Sequence, residues 1–107
     1  MTLTLVLHSE AADELRAAVA WYDQGGQNRG QSFMAAYKNT VGRCLMWPES
    51  GAATPIAGQT ITIRSAKVPR SSYQVIYFIN QDTLHVIAVA HERRRPGYWA
   101  SRLASVS

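Results

Sequence analysis

From Thr2 to His8 the chain alternates, with Leu3, Leu5 and Leu7 set against Thr2, Thr4 and Val6. That is the two-residue period of a half-buried strand. Ser9 follows as a helix-capping residue, with Glu10, Asp13 and Glu14 in the first turns, where the helix dipole favours acids. Ala12, Leu15, Val19 and Tyr22 then recur at helical spacing, which predicts a helix running to about Asp23 and ended by Gly25-Gly26. A second helix is predicted over Arg29–Trp47, with Phe33, Ala36, Tyr37, Val41, Cys44 and Leu45 on one face and Pro48 and Gly51 stopping it. Two helices joined by so short a link read as an antiparallel hairpin.

Beyond a loop containing Pro55 and Gly58 the period changes back to two. Ile61-Thr62-Ile63-Arg64 is a short alternating segment that continues towards Val68. Tyr73–Ile79 and Leu84–Ala90 read as two longer strands around a four-residue hairpin loop, Asn80-Gln81-Asp82-Thr83. Both are apolar on both faces: Val75, Tyr77 and Ile79 against Ile76 and Phe78, then Val86, Ala88 and Ala90 against Ile87 and Val89. One face is expected to pack on the helical hairpin, the other to be covered by the C-terminal segment or by a partner. The order is β-α-α-β-β-β. It predicts an α+β fold in which an N-terminal strand and a helical hairpin pack on a small, mainly antiparallel sheet.

At 107 residues the chain has the length of one domain, spanning residues 1–107, with material for one compact core. Its 47% apolar and 17% charged content is that of a globular protein, and no apolar stretch exceeds six residues, well short of a membrane span. The opening MTLTLVLHSEA has no basic leader, so it does not read as a signal peptide, and a cytoplasmic location is expected. One cysteine, Cys44, excludes an intramolecular disulfide and reads as core packing. The three histidines are scattered, with no metal-ligand spacing, so neither metal nor cofactor is expected. Charge divides unevenly. Residues 1–53 carry four bases against five acids, whereas residues 54–107 carry seven bases against two acids. A net +5 in the second half predicts an acidic partner, nucleic acid or protein.

The least ordinary stretch is His91-Glu92-Arg93-Arg94-Arg95-Pro96-Gly97-Tyr98-Trp99, which leaves the last strand with three arginines and then presents two aromatics. Arginines beside aromatics suit phosphates, stacked bases or an acidic peptide. Arg64, Lys67 and Arg70 lie on the strand and loop expected to neighbour this segment and to join Arg93, Arg94 and Arg95 in one concave basic surface, with Trp99 and Arg102 as further residues for binding a target or an antitoxin. A cationic groove holding a histidine and a tyrosine is what metal-free RNA cleavage needs: Arg70 and Arg94 for phosphate charge, His91 or Tyr98 for proton transfer. A groove that only binds an acid uses the same arginines, so the residues alone leave both readings open. Tyr98 and Trp99 could stack on a substrate, but a C-terminal aromatic pair more often closes the core under the sheet. Trp21-Tyr22 and Phe33-Tyr37 have helical spacing and read as core, as do His8 and His85.

The element order, AADELRAAVAWYDQ followed by RGQSFMAAY, then SYQVIYFI, and above all IAVAHERRRPGYWASR, together resemble the RelE/ParE superfamily of bacterial type II toxins. The resemblance covers nearly the full length and leans to the ParE-like branch. It implies a growth-inhibiting toxin neutralised by a cognate antitoxin that wraps an acidic or amphipathic segment around it. It also implies a target, which is DNA gyrase for ParE-like members and mRNA in the ribosomal A site for RelE-like nucleases. The nuclease branch places an arginine after the tyrosine that opens the third strand, where this chain has Gln74 after Tyr73. A second basic position of that branch falls on Glu92, with Arg93 and Arg94 one and two residues beyond it, and Lys67 is the only candidate for its strand lysines. Tyr98 does match the nuclease tyrosine. The departures favour gyrase inhibition without bond chemistry over ribosome-dependent cleavage. The third possibility is a binding module of the same fold that is no longer toxic.

Overall fold

The computed structural model describes residues 3–54 and 60–105; Thr2 and the Pro55–Gly58 part of the expected loop lie outside them. Strand β1 (Thr4–Leu7) leads into helices α1 (Ser9–Gln24) and α2 (Arg29–Met46), and a 3-10 turn at Pro48–Ser50 follows. Strands β2 (Ala52–Thr54), β3 (Ile63–Lys67), β4 (Tyr73–Asn80) and β5 (Thr83–His91) complete the sheet, and a 3-10 segment covers Ala100–Ser105. The strand order is β1-β5-β4-β3-β2. Among the described residues only β1 runs parallel to its neighbour, with Thr4 opposite Thr83 and Leu7 opposite Val86. The fold is therefore α+β with a mixed, mainly antiparallel sheet, as the alternating patterns required.

Local chemistry differs from the sequence reading at several points. His8, not Ser9, is the N-cap of α1, and it caps with its backbone alone. Its carbonyl accepts from the Ala12 N–H at 2.8 Å, while its ring is turned to His85. At the start of α2 the free amide of Gly30 donates to Asp23 Oδ1 at 2.9 Å, so α1 caps its successor. The β4–β5 loop is shorter than expected: Asn80 and Thr83 are paired, leaving a two-residue turn in which Gln81 takes a left-handed φ of 57°. The three-residue strand β2 is too short for a periodic signal. It is held because Arg64 donates to the carbonyls of Glu49 (3.2 Å) and Gly51 (2.8 Å), beside the Tyr77 hydroxyl that bridges Gly51 N–H and the Pro48 carbonyl.

Both faces of the sheet are covered by this chain. Helix residues Ala11, Leu15, Phe33, Tyr37 and Val41 pack on Val75, Tyr77, Leu84, Val86 and Val89. On the far face Ile63, Ile76, Phe78, Ile87, Ala88 and Ala90 lie under Trp99, with Tyr98, Ala100 and Leu103 around it. Of the two covers left open, the C-terminal segment is the one used. The expected alternation holds in β4 and breaks in β5. A bulge between the Ile76–Ala88 and Tyr77–Val86 pairs lets Ile87 and Ala88, adjacent in sequence, both face the C-terminal cover. Val86 and Val89 consequently share the helix side. An extra residue in one strand shifts its phase, and a strict two-residue period cannot show that.

Candidate functional site

Three segments meet at one end of the sheet: the turn between β3 and β4, the end of β5, and the link from α1 to α2. The Glu92 N–H donates to the Ser72 carbonyl at 2.8 Å, which ties the first two together. The Ser72 N–H donates to the Tyr22 hydroxyl at 3.3 Å, tying in α1. A run of rings fills the space between them. Tyr22 stacks on Phe33 at 5.0 Å, Tyr73 meets Phe33 edge-on at 5.4 Å, and His91 meets Tyr73 edge-on at 5.0 Å.

The arginine run leaves this end exposed to solvent. The Arg93 N–H donates to His91 Nδ1 at 3.0 Å and the Arg94 N–H to the His91 carbonyl at 3.0 Å, so the histidine ring organises the turn. With Nδ1 accepting, the ring's hydrogen in this arrangement sits on Nε2. Gly97, at φ 81°, reverses the chain so that Tyr98 lies beneath Arg94, whose guanidinium carbon is 3.9 Å from the ring centroid. Lys67 reaches the Ser71 carbonyl at 2.6 Å, and Arg70 is held at a left-handed φ of 59° at the tip of its turn.

Glu14 is the residue that orders the C-terminal side. β1 pairs with β5 only as far as Val86, so beyond it the edge of β5 needs other partners. The Val89 N–H donates to Glu14 Oε1 at 3.0 Å, and the Ile87 carbonyl accepts from Arg102 Nη1 at 2.9 Å. Arg102 also grips both oxygens of Glu14, and the Tyr98 hydroxyl donates to Glu14 Oε2 at 2.5 Å. Burial by itself raises the Glu14 pKa. The bonds from Arg102, Tyr98 and Val89 outweigh it and hold the carboxyl below its ordinary range. Burial, then the bond to Glu14, pushes the Tyr98 hydroxyl well above the usual phenol range. Such a hydroxyl is poorly suited to taking a proton at neutral pH.

The basic surface expected from sequence therefore forms only in part. The Arg70 turn is joined to the Glu92–Arg94 turn through the Ser72–Glu92 bond, with Lys67 on the same turn. Arg64 is spent on the carbonyls of residues 49 and 51, and Arg102 is turned inward to Glu14. Trp99 is 3% exposed within the far core, so its ring meets the sheet and not a partner. Trp21, read as core, is 62% exposed. Helical spacing put it beside Tyr22, but only Tyr22 turns towards Phe33. The sequence reading missed Glu14, which looked like an ordinary acid at a helix start. It also missed Arg29, which lines a hollow of about 220 Å³ together with Tyr22, Phe33, Pro69 and Arg70. Among the described residues no three His, Cys, Asp or Glu side chains converge as a metal site would need, and no helix is long and apolar enough to cross a membrane.

The comparisons agree with this geometry. Residues 5–96 match the family model of the ParE toxin of type II toxin-antitoxin system, parDE, and the chain belongs to that family of toxins. A solved structure of the chromosomal ParDE TA system from P. aeruginosa superposes with a TM-score of 0.68 at 14% identity, over 84% of this chain and 96% of the other. The archaeal RelE-RelB complex from Pyrococcus horikoshii OT3 gives 0.58 at 15% identity, over 89% of this chain and 100% of the other. At such identities these two establish the shared fold. No curated protein matches in sequence.

Proposed function

We propose that this toxin arrests growth in the bacterial cytoplasm by binding DNA gyrase, without breaking a bond itself, and that a cognate antitoxin neutralises it. Membership of the ParE family supports the target. The observation that carries the mechanism is the commitment of Tyr98 and Arg102 to Glu14. The hydroxyl that the nuclease reading would aim at RNA, Tyr98, is here used with Arg102 to fasten the C-terminal segment to α1 and to the edge of β5. The groups left at the surface, Arg93, Arg94 and Arg95 beside the Arg70 turn, are a docking face of fixed charge.

Pulse-labelling in the first minutes after tightly controlled induction tests this. DNA synthesis failing first, with filamentation, is the expected result. Translation collapsing first overturns it in favour of ribosome-dependent mRNA cleavage, with Arg70, Arg94, His91 and Tyr98 as the residues to examine. If neither changes, the chain is a binding module of the same fold. Rescue of growth by the adjacent gene product tests the antitoxin.

A further inference from the structure

Where α1 ends and α2 begins, two hollows lie on either side of Arg29. One, of about 220 Å³, is lined by Tyr22, Phe33, Ala36, Pro69 and, across from Arg29, Arg70. The other, of about 210 Å³, is lined by Trp21, Tyr22, Gln24 and Gly25. Arg29 and Tyr22 belong to both, so the two form one groove with an apolar floor and two arginines on its walls. Among the described residues the guanidinium group of neither arginine makes a hydrogen bond or an ion pair. Arg70 is moreover held in a left-handed backbone conformation that an L-residue with a side chain adopts at a cost. Trp21, exposed at one end, is the residue type that most often anchors an interface.

We propose that this groove seats an acidic segment of a partner protein, with carboxylates on Arg29 and Arg70 and aliphatic side chains in the two hollows. The partner's identity as the antitoxin rests on the function proposed above; the groove's chemistry does not. Each hollow is smaller than the roughly 300 Å³ at which small-molecule sites begin, and suits a single side chain. A nucleic-acid strand fits less well, because it stacks successive bases on open ring faces and the groove offers one such ring, Trp21. Tyr22 is stacked on Phe33 and met edge-on by Trp21 and Tyr73, and Phe33 is buried. Two carboxylates on two unpaired guanidiniums supply the charge-assisted bonds that such a groove lacks by itself.

The test titrates the full chain, in a Trp47→Phe background so that Trp21 dominates the change in emission, with the purified adjacent-gene product and with short overlapping peptides covering it. The expected result is that a peptide rich in Asp or Glu binds and alters Trp21 emission. Arg29→Gln, Arg70→Gln and Trp21→Ala should each weaken it by roughly tenfold or more. Arg43→Gln, an equal loss of charge at the other end of α2, should leave binding within about twofold. Equal binding by wild type and the groove variants overturns the inference and leaves the toxin–antitoxin reading intact. If the adjacent-gene product binds nothing, the antitoxin reading falls, and the inferred partner falls with it. A single-stranded RNA oligomer that binds wild type and is lost in Arg29→Gln, with no peptide binding, reassigns the groove to nucleic acid and overturns the proposal.

Discussion

Glu14 and Arg102, 88 residues apart in sequence, meet in a two-pronged ion pair, Nη1 to Oε1 at 2.9 Å and Nη2 to Oε2 at 3.0 Å. Between them they take up the β5 amide and carbonyl that β1 leaves unpaired. The pair thus does the work of another turn of strand, with side chains in place of backbone. Side-chain exposures of 13% for Arg102 and 18% for Glu14 place it well away from bulk water.

Removing Glu14 takes the two-pronged partner from a largely buried guanidinium and leaves it the more exposed Glu10, whose Oε2 is 3.3 Å from Arg102 Nε. Glu14→Gln is therefore expected to cost about 2 kcal/mol in chemical denaturation. The pH dependence carries the same signature. Glu14 is held below its usual value of 4.5, so its contribution is fully present above that value and is lost as pH falls through the lower folded pKa. The Gln variant should show a flatter stability profile on the acid side. An unchanged acid limb would remove Glu14 from this role.

Fixed charge and proton transfer can be separated at the other end of the sheet. Arg94→Ala is expected to weaken growth arrest whichever target is hit. Tyr98→Phe, and His91→Asn, which keeps an acceptor for the Arg93 N–H, should leave arrest intact if no bond is broken. Tyr98→Phe should nonetheless lower stability by about 1 kcal/mol through its lost bond to Glu14. Measured arrest after induction, set beside denaturation midpoints of the same variants, checks both. A fully toxic Arg94→Ala protein would sink the placement of the docking face.

Arg70 offers a different kind of test. Glycine relieves its left-handed φ of 59°, so Arg70→Gly should raise stability by about 1 kcal/mol, an increase of roughly 4–8 °C in Tm for a domain near this size. The same change should impair binding of the acidic segment. Stability gained where function is lost distinguishes a strained binding residue from a merely structural one.

His8 and His85 share a hydrogen bond of 2.9 Å, Nε2 to Nδ1, where β1 runs into α1. One ring must accept, so two protonated rings cannot keep the bond. Burial and then the neighbouring His8 lower the His85 pKa from its ordinary 6.5. The stabilisation is therefore present above that value and lost as pH falls through the folded pKa. His85→Phe, which retains the stack on Phe78, should flatten the thermal midpoint against pH across this range.

The helices, their inner faces and the two faces of β4 were legible because each repeats a period without interruption. What escaped the sequence is local or relational. The bulge at Ile87 shifts a phase, and β2 is too short to have one. Whether Arg64, Arg102 and Trp99 face solvent depends on carbonyls, a carboxylate and a sheet face brought up by distant segments. Trp21 and Tyr22 share one helix, and a turn of about 100° between neighbours was enough to send one inward and the other out.

The parallel pairing of β1 with β5 joins Thr4 to Thr83, across most of the chain. A contact of such sequence separation closes late, since the loop between its ends must be ordered first. While the chain is being made, the first strand has no neighbour and the helical hairpin has no sheet to lie on. The basic end is assembled from the α1–α2 link, the β3–β4 turn and the tail of β5, so it too waits for the last strand. The proposed docking face therefore takes shape among the last parts of the fold, once the final strand is in place.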